Sequence, residues 1–192
     1  TQFMEIVRTN NELLQQLIAD ILDLSKIEAG TLEFVYSDVD MNQLMFDIEQ
    51  LFRMRLAEED SKVKVIRETP LENCIIHADR NRVAQVISNF MTNAMKFTEQ
   101  GSITLGYKSD EKNLYVYVRD TGSGIPEEKR GKIFDRFIKL EQEKKGTGLG
   151  LSICQTIVHK LGGEIGVESE VGVGSTFWFT LPWKSELIKE KQ

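Results

Sequence analysis

The chain has 192 residues, 41% of them hydrophobic, enough for one core of about 100 to 150 residues and an appendage. Twenty-four Lys and Arg against 30 Asp and Glu leave a net charge of −6, so there is no basic face to neutralise a phosphate backbone, and nucleic acid is excluded as a partner. Any anion must be caught locally. No apolar run reaches the length of a membrane span, and the N-terminus TQFMEIVRTNNE has neither the charged start nor the apolar centre of a signal peptide. Direct membrane contact is therefore not expected. Cys74 and Cys154 lie inside the apolar runs NCIIHA and LSICQTIV, which favours buried thiols over a disulfide and a reducing, cytoplasmic setting.

Apolar residues recur with three-four spacing from Phe3 to Ile27, the mark of one amphipathic helix. Val7, Leu14, Leu17, Ile21 and Leu24 fall on heptad a and d positions, with Asn10 as a polar interruption. A stripe this wide calls for a partner helix, and Gly30 supplies the C-cap. A short strand is expected over 32–36, a helix over 41–59, and strands at VKVI and CIIHA. A second helix is expected over 81–97, followed by strands 102–108 and 114–119 around the turn-like residues 109–113. Short helical pieces after Pro126 and a glycine-rich stretch precede a helix ending near Leu161. Strands 164–168 and 175–181 then flank a Gly172/Gly174 turn. This order predicts an α+β fold: a two-layer α/β sandwich with a mixed, mostly antiparallel sheet covered by helices, preceded by one long helix. The expected division is 1–30, 31–184 and a tail, 185–192.

Three glycine clusters mark the second half: Asp120-Thr-Gly122-Ser-Gly124, Gly146-Thr147-Gly148-Leu149-Gly150 and Gly172-Val-Gly174. Glycine admits positive φ and lets a ligand come close to main-chain N–H groups. The second cluster runs straight into a helix, whose free N–H groups and positive dipole end suit a phosphate. Taken singly, each cluster reads at least as well as a turn or cap, and none is a Walker loop or a dinucleotide fingerprint. Asn89, Asn93 and Lys96 stand at i, i+4 and i+7 on one helical face. Two amide oxygens can ligate or orient a hydrated Mg²⁺ and the ammonium can meet a phosphate, although such a triad alone is more often a solvated face.

QVISNFMTNAMKFT resembles the asparagine box of histidine kinases, DTGSGI the first glycine box, and FDRF (134–137) the phenylalanine box. GTGLGLSI is similar to the second glycine box and VGVGSTFWFTLP to the closing segment, all in family order. LLQQLIADILDLSKIEAG resembles the second helix of the family's dimerisation hairpin. The resemblance implies an ATP pocket of the Bergerat type, shared with type II topoisomerases, Hsp90 chaperones and mismatch-repair ATPases.

On that resemblance Asp120 accepts from the adenine amino group, with Gly122, Gly124 and Ile125 beside the base and Thr176 supporting its recognition. Asn93 holds Mg²⁺, Asn89 assists at the phosphates and Lys96 contacts one. Gly146, Thr147, Gly148, Leu149 and Gly150 lie over the triphosphate. Phe134 and Phe137 anchor a lid over 138–145, whose Lys144 and Lys145 reach toward the phosphates. The lid is short, and Ser123 stands where many relatives carry an apolar residue.

The hydrolytic relatives place a glutamate where this chain has Asn89, and a neutral amide cannot take a proton from water. The pocket is thus expected to hold ATP for another nucleophile. The family's acceptor is a histidine on the first hairpin helix. Neither His77, in CIIHAD, nor His159, in IVHKLGG, fits that motif, so the acceptor is expected outside this chain and autophosphorylation is not expected within it. The implied partners are a response-regulator receiver domain and a second copy of the parent protein through the hairpin helices. The implied location is the cytoplasm, in a parent that the resemblance allows to be anchored in the inner membrane. A non-kinase ATPase of the same fold and a nucleotide-free docking module stay open as alternatives.

Overall fold

The computed structural model describes residues 2–59, 61–138 and 146–183. In chain order its elements are α1 (Gln2–Glu28), β1 (Ser37–Asp40), α2 (Met41–Glu58), β2 (Lys62–Glu68), β3 (Ile75–Ala78), α3 (Arg80–Phe97), β4 (Gln100–Ser109), β5 (Asn113–Asp120), α4 (Glu127–Arg130), α5 (Gly150–Lys160), β6 (Ile165–Glu170) and β7 (Gly174–Pro182). The tail expected over 185–192 lies outside the described residues.

α1 is the expected amphipathic helix, and Gly30 terminates it with a left-handed φ of 69°. The strand expected over 32–36 does not form. Leu32 is buried and Phe34 packs against the core, while the Val35 N–H donates to Asp79 Oδ2 at 2.8 Å. Alternation there reflects a linker laid across the core without a ladder partner. Pairing begins only at β1, antiparallel to β3.

Asp40 and Asp79 cap the next two helices. Asp40 accepts from the N–H groups of Asn42 and Gln43, and Asp79 from that of Arg82, satisfying donors that a helix start leaves free. α3 buries Val83, Val86, Ile87, Phe90, Met91 and Ala94 at three-four spacing, so its opposite face stays available.

The main sheet has the order β2-β4-β5-β7-β6, with β2 and β4 parallel and all other neighbours antiparallel. This is the mixed, mostly antiparallel sheet predicted. Its inner face presents Ile103, Leu105, Leu114, Val116, Val118, Phe177 and Phe179 to α2, α3 and α5. The Phe90 ring sits 5.3 Å from Phe177 and 6.0 Å from Phe179 and locks α3 across the sheet centre. Cys74 and Cys154 are both buried free thiols. Among the described residues no helix is long and apolar enough to cross a membrane.

Candidate functional site

Two adjoining cavities run along the polar face of α3 and share Asn93 and Phe97. The first, about 230 Å³, lies at the end of β5 and is lined by Asp120, Ser123, Gly124, Ile125 and Ser175 among others. The second, about 310 Å³, is lined by Asn89, Lys96, Gly146, Thr147, Gly148 and Gly150, with Gln16 and Asp20 from α1 and Arg55 from α2.

Asp120 is the last residue of β5 and only 5% exposed. Burial pushes its carboxyl above the usual carboxylate range, opposed by N–H groups of Gly122 and Ser175. The Gly122 N–H donates to Oδ1 at 2.8 Å. The Thr98 hydroxyl opposes the rise as well, and a carboxylate, with about four lone-pair sites, keeps acceptor capacity for a ligand beside these donors.

The two loop glycines meet the protein's own backbone. A Cβ at Gly122 would stand 2.3 Å from the Phe97 carbonyl oxygen, and one at Gly124, where φ is 71°, 2.1 Å from that of Glu170. Hydrogen bonds from Ser123 N–H to Phe97 O and from Gly172 N–H to Ser123 O complete the clamp. Gly174 is more than a hairpin turn: a side chain there would strike the Asp120 carbonyl at 2.0 Å. Ile125 is buried in the cavity wall, its N–H held by Ser169 Oγ at 2.7 Å.

Thr176 lines neither cavity. Its register partner is Arg119, whereas Ser175 pairs with Asp120, and strand alternation turns the two residues to opposite faces. Ser175 is the buried residue that lines the cavity, its hydroxyl 2.8 Å from that of Ser169. Period-two alternation counted from Asp120 across the antiparallel pair is the signal that identifies it.

At the other end the glycine loop meets the α3 face. A Cβ at Gly146 would come 3.0 Å from Lys96 Nζ, and one at Gly150 2.2 Å from Asn89 Nδ2. Asn93 Nδ2 lies 3.5 Å from Asn89 Oδ1, and Lys96 Nζ sits 5.2 Å from the centre of the Phe97 ring. Leu149, only 1% exposed, places its side chain in the core, so only its main chain, at the start of α5, can serve a ligand.

Phe137 lies beside the glycine loop and not in a cavity wall. It is 69% exposed, has a φ of 63°, lines neither cavity and is tied to the loop through its N–H on the Gly148 carbonyl at 2.8 Å. The apolar walls near it are Ile133 and Ile138, while Phe134 packs against the core. Lys144 and Lys145 lie outside the described residues. Among the described residues no cluster of three or more His, Cys, Asp or Glu could hold a metal. The amide oxygens of Asn93 and Asn89 therefore fit Mg²⁺ only as a companion to phosphate oxygens.

The model of the family described as histidine kinase-, DNA gyrase B-, and HSP90-like ATPases matches residues 78–185, and the chain belongs to that family. Within it, the fold is that of a histidine kinase catalytic domain. The chain is 34% identical to the autoinducer 2 sensor kinase/phosphatase LuxQ of Vibrio vulnificus over 98% of its own length and 23% of that protein, so it spans about a quarter of this relative. Among solved structures it resembles full-length ShkA in complex with AMPPNP, at 31% identity and a TM-score of 0.80, over 95% of this chain and 38% of that one. The catalytic domain of histidine kinase ThkA aligns at 33% identity and a TM-score of 0.69, over 81% and 99%. ThkA in complex with the response regulator TrrA aligns at 27% identity and 0.75, over 97% and 52%.

Proposed function

We propose that the chain binds Mg-ATP across both cavities and presents the γ-phosphoryl group to a histidine outside it, from which the group passes to a response-regulator aspartate. The observation that carries this reading is the polar arrangement of the cleft. A buried carboxylate stands at one end, and an amide-amide-ammonium face under a helix N-terminus at the other, joined through Asn93 and Phe97. Asp120 accepts from the exocyclic amino group of adenine. Lys96 and the N–H groups opening α5 meet the phosphates.

Asn93, with Asn89 beside it, would hold Mg²⁺, which offsets charge on the phosphates when bound. In the transfer the bond from Pγ to the bridging oxygen breaks, ADP leaves with that electron pair, and a P–N bond forms to an imidazole whose N–H proton passes to a base beside the acceptor, outside this chain. The chain contributes positioning and electrostatic stabilisation. Asn89 cannot deprotonate water, which favours transfer over hydrolysis. His77, held 3.2 Å from Asp38, and the exposed His159 line neither cavity, in keeping with an acceptor elsewhere.

The ThkA–TrrA complex supports a response-regulator receiver domain as partner. The exposed Leu14, Leu17, Ile18, Ile21 and Leu22 of α1 support pairing of the parent protein through its hairpin helices.

Asn93→Ala removes a half-buried amide that lines both cavities. It is expected to weaken Mg-ATP binding at least tenfold, roughly the loss of one hydrogen bond to a charged group, with Tm unchanged. Titration calorimetry beside thermal unfolding checks this. Undiminished affinity would remove Asn93 from the site.

A further inference from the structure

Asp20 belongs to α1, yet it is only 3% exposed and lines the second cavity. Its Oδ1 accepts from Gln16 Nε2 at 2.7 Å, and its Oδ2 from the Thr147 hydroxyl, in the middle of the glycine loop, at 2.6 Å. One turn further along α1, Asp23 accepts from Gln85 Nε2 at 2.8 Å and from Arg82 Nη1 at 3.1 Å. Asp23 thus ties α1 to the Gln85 end of the second cavity, three turns of α3 from the Phe97 end that opens toward Asp120, and Asp20 lines that second cavity at the glycine loop. A nucleotide with its base at Asp120 therefore directs its last phosphate toward Asp20.

The loop before α5 is built to hold an anion. With α1 docked, the anion on Thr147 is a carboxylate. The Thr147 hydroxyl has one proton to donate, and it is given to Asp20. A phosphate oxygen in the same place would lose that donor and face the like charge of a carboxylate that is nearly buried.

We propose that Asp20 is a specificity-determining residue that stands in for a phosphate oxygen, so that docked α1 disfavours a nucleoside triphosphate far more than a diphosphate. This rests on the nucleotide reading above. By linkage the effect is reciprocal: a bound triphosphate drives α1 off the loop by the same factor with which docked α1 weakens the triphosphate. A diphosphate ends short of Asp20 and leaves α1 in place.

The test titrates the 192-residue chain, Asp20→Ala and Asp20→Asn with Mg-AMPPNP and with Mg-ADP. Asn keeps the size and an acceptor for Thr147 without the charge, and so separates repulsion from any disturbance of α1 by Ala. Both variants are expected to bind Mg-AMPPNP about tenfold more tightly and Mg-ADP by less than about twofold. In the unsubstituted chain Mg-AMPPNP, unlike Mg-ADP, is expected to speed amide hydrogen exchange in residues 16–24. Equal effects on the two nucleotides, no effect on either, or weaker Mg-AMPPNP binding would overturn the role of Asp20 while leaving the nucleotide site standing. Absence of binding by all three chains would overturn the nucleotide reading, and the discrimination with it.

Discussion

Asp120→Asn is expected to weaken Mg-ATP binding by roughly 10- to 100-fold, the equivalent of about 1.5–3 kcal/mol for a hydrogen bond to a charged group. Tm of the ligand-free chain should stay level or rise. Burial raises the folded-state pKa of this carboxyl above its unfolded value, so the folded chain binds the proton more tightly than the unfolded chain does. The ionised group therefore opposes folding at neutral pH, and the penalty fades as pH falls through the folded pKa. The neutral amide never incurs it. ATP affinity should fall across the same acid range, because the protonated carboxyl no longer offers two acceptor oxygens. Calorimetric titration at several pH values, with thermal unfolding of both proteins, checks the pair of effects. A marked drop in Tm with affinity retained would assign the carboxylate to the fold instead.

Gly124→Ala should act on the fold as well as the site. The φ of 71° disfavours any side chain, and the added Cβ would lie 2.1 Å from a carbonyl oxygen of the β6–β7 turn, where only backbone could yield. Strain and loop displacement together are expected to cost about 3 kcal/mol or more, a fall in Tm of roughly 6–12 °C. Nucleotide binding should be lost as well, because the loop carries Ile125 and frames Asp120. Gly131→Ala is the control: it has negative φ and nothing within 4 Å of the added carbon, and should leave Tm nearly unchanged. Equal Tm values for the two variants would contradict the clamp.

Periodicity and caps made most of the fold legible. α3 could be read from its apolar stripe, and the same stripe left Asn89, Asn93 and Lys96 together on the face that lines the second cavity. The miss at 32–36 shows the limit of alternation, which reports burial but not the presence of a ladder partner. Thr176 and Ser175 are neighbours in sequence, and only the register with β5 decides which one meets Asp120. Leu149 and Phe137 sit inside box motifs, yet one side chain is in the core and the other in solvent. Least legible was the α1 contact, since Asp20 and Thr147 are 127 residues apart and nothing local in either segment announces the other.

The cleft is expected to hold ATP for a nucleophile outside this chain. Incubation with Mg-ATP, following bound nucleotide, released ADP and the intact mass of the chain together, is the decisive experiment. The expected result is bound ATP, little ADP and no added phosphoryl group. Steady ADP release would contradict it in favour of an ATPase, a phosphorylated chain would place the acceptor at His77 or His159, and absence of bound nucleotide would refute the site itself.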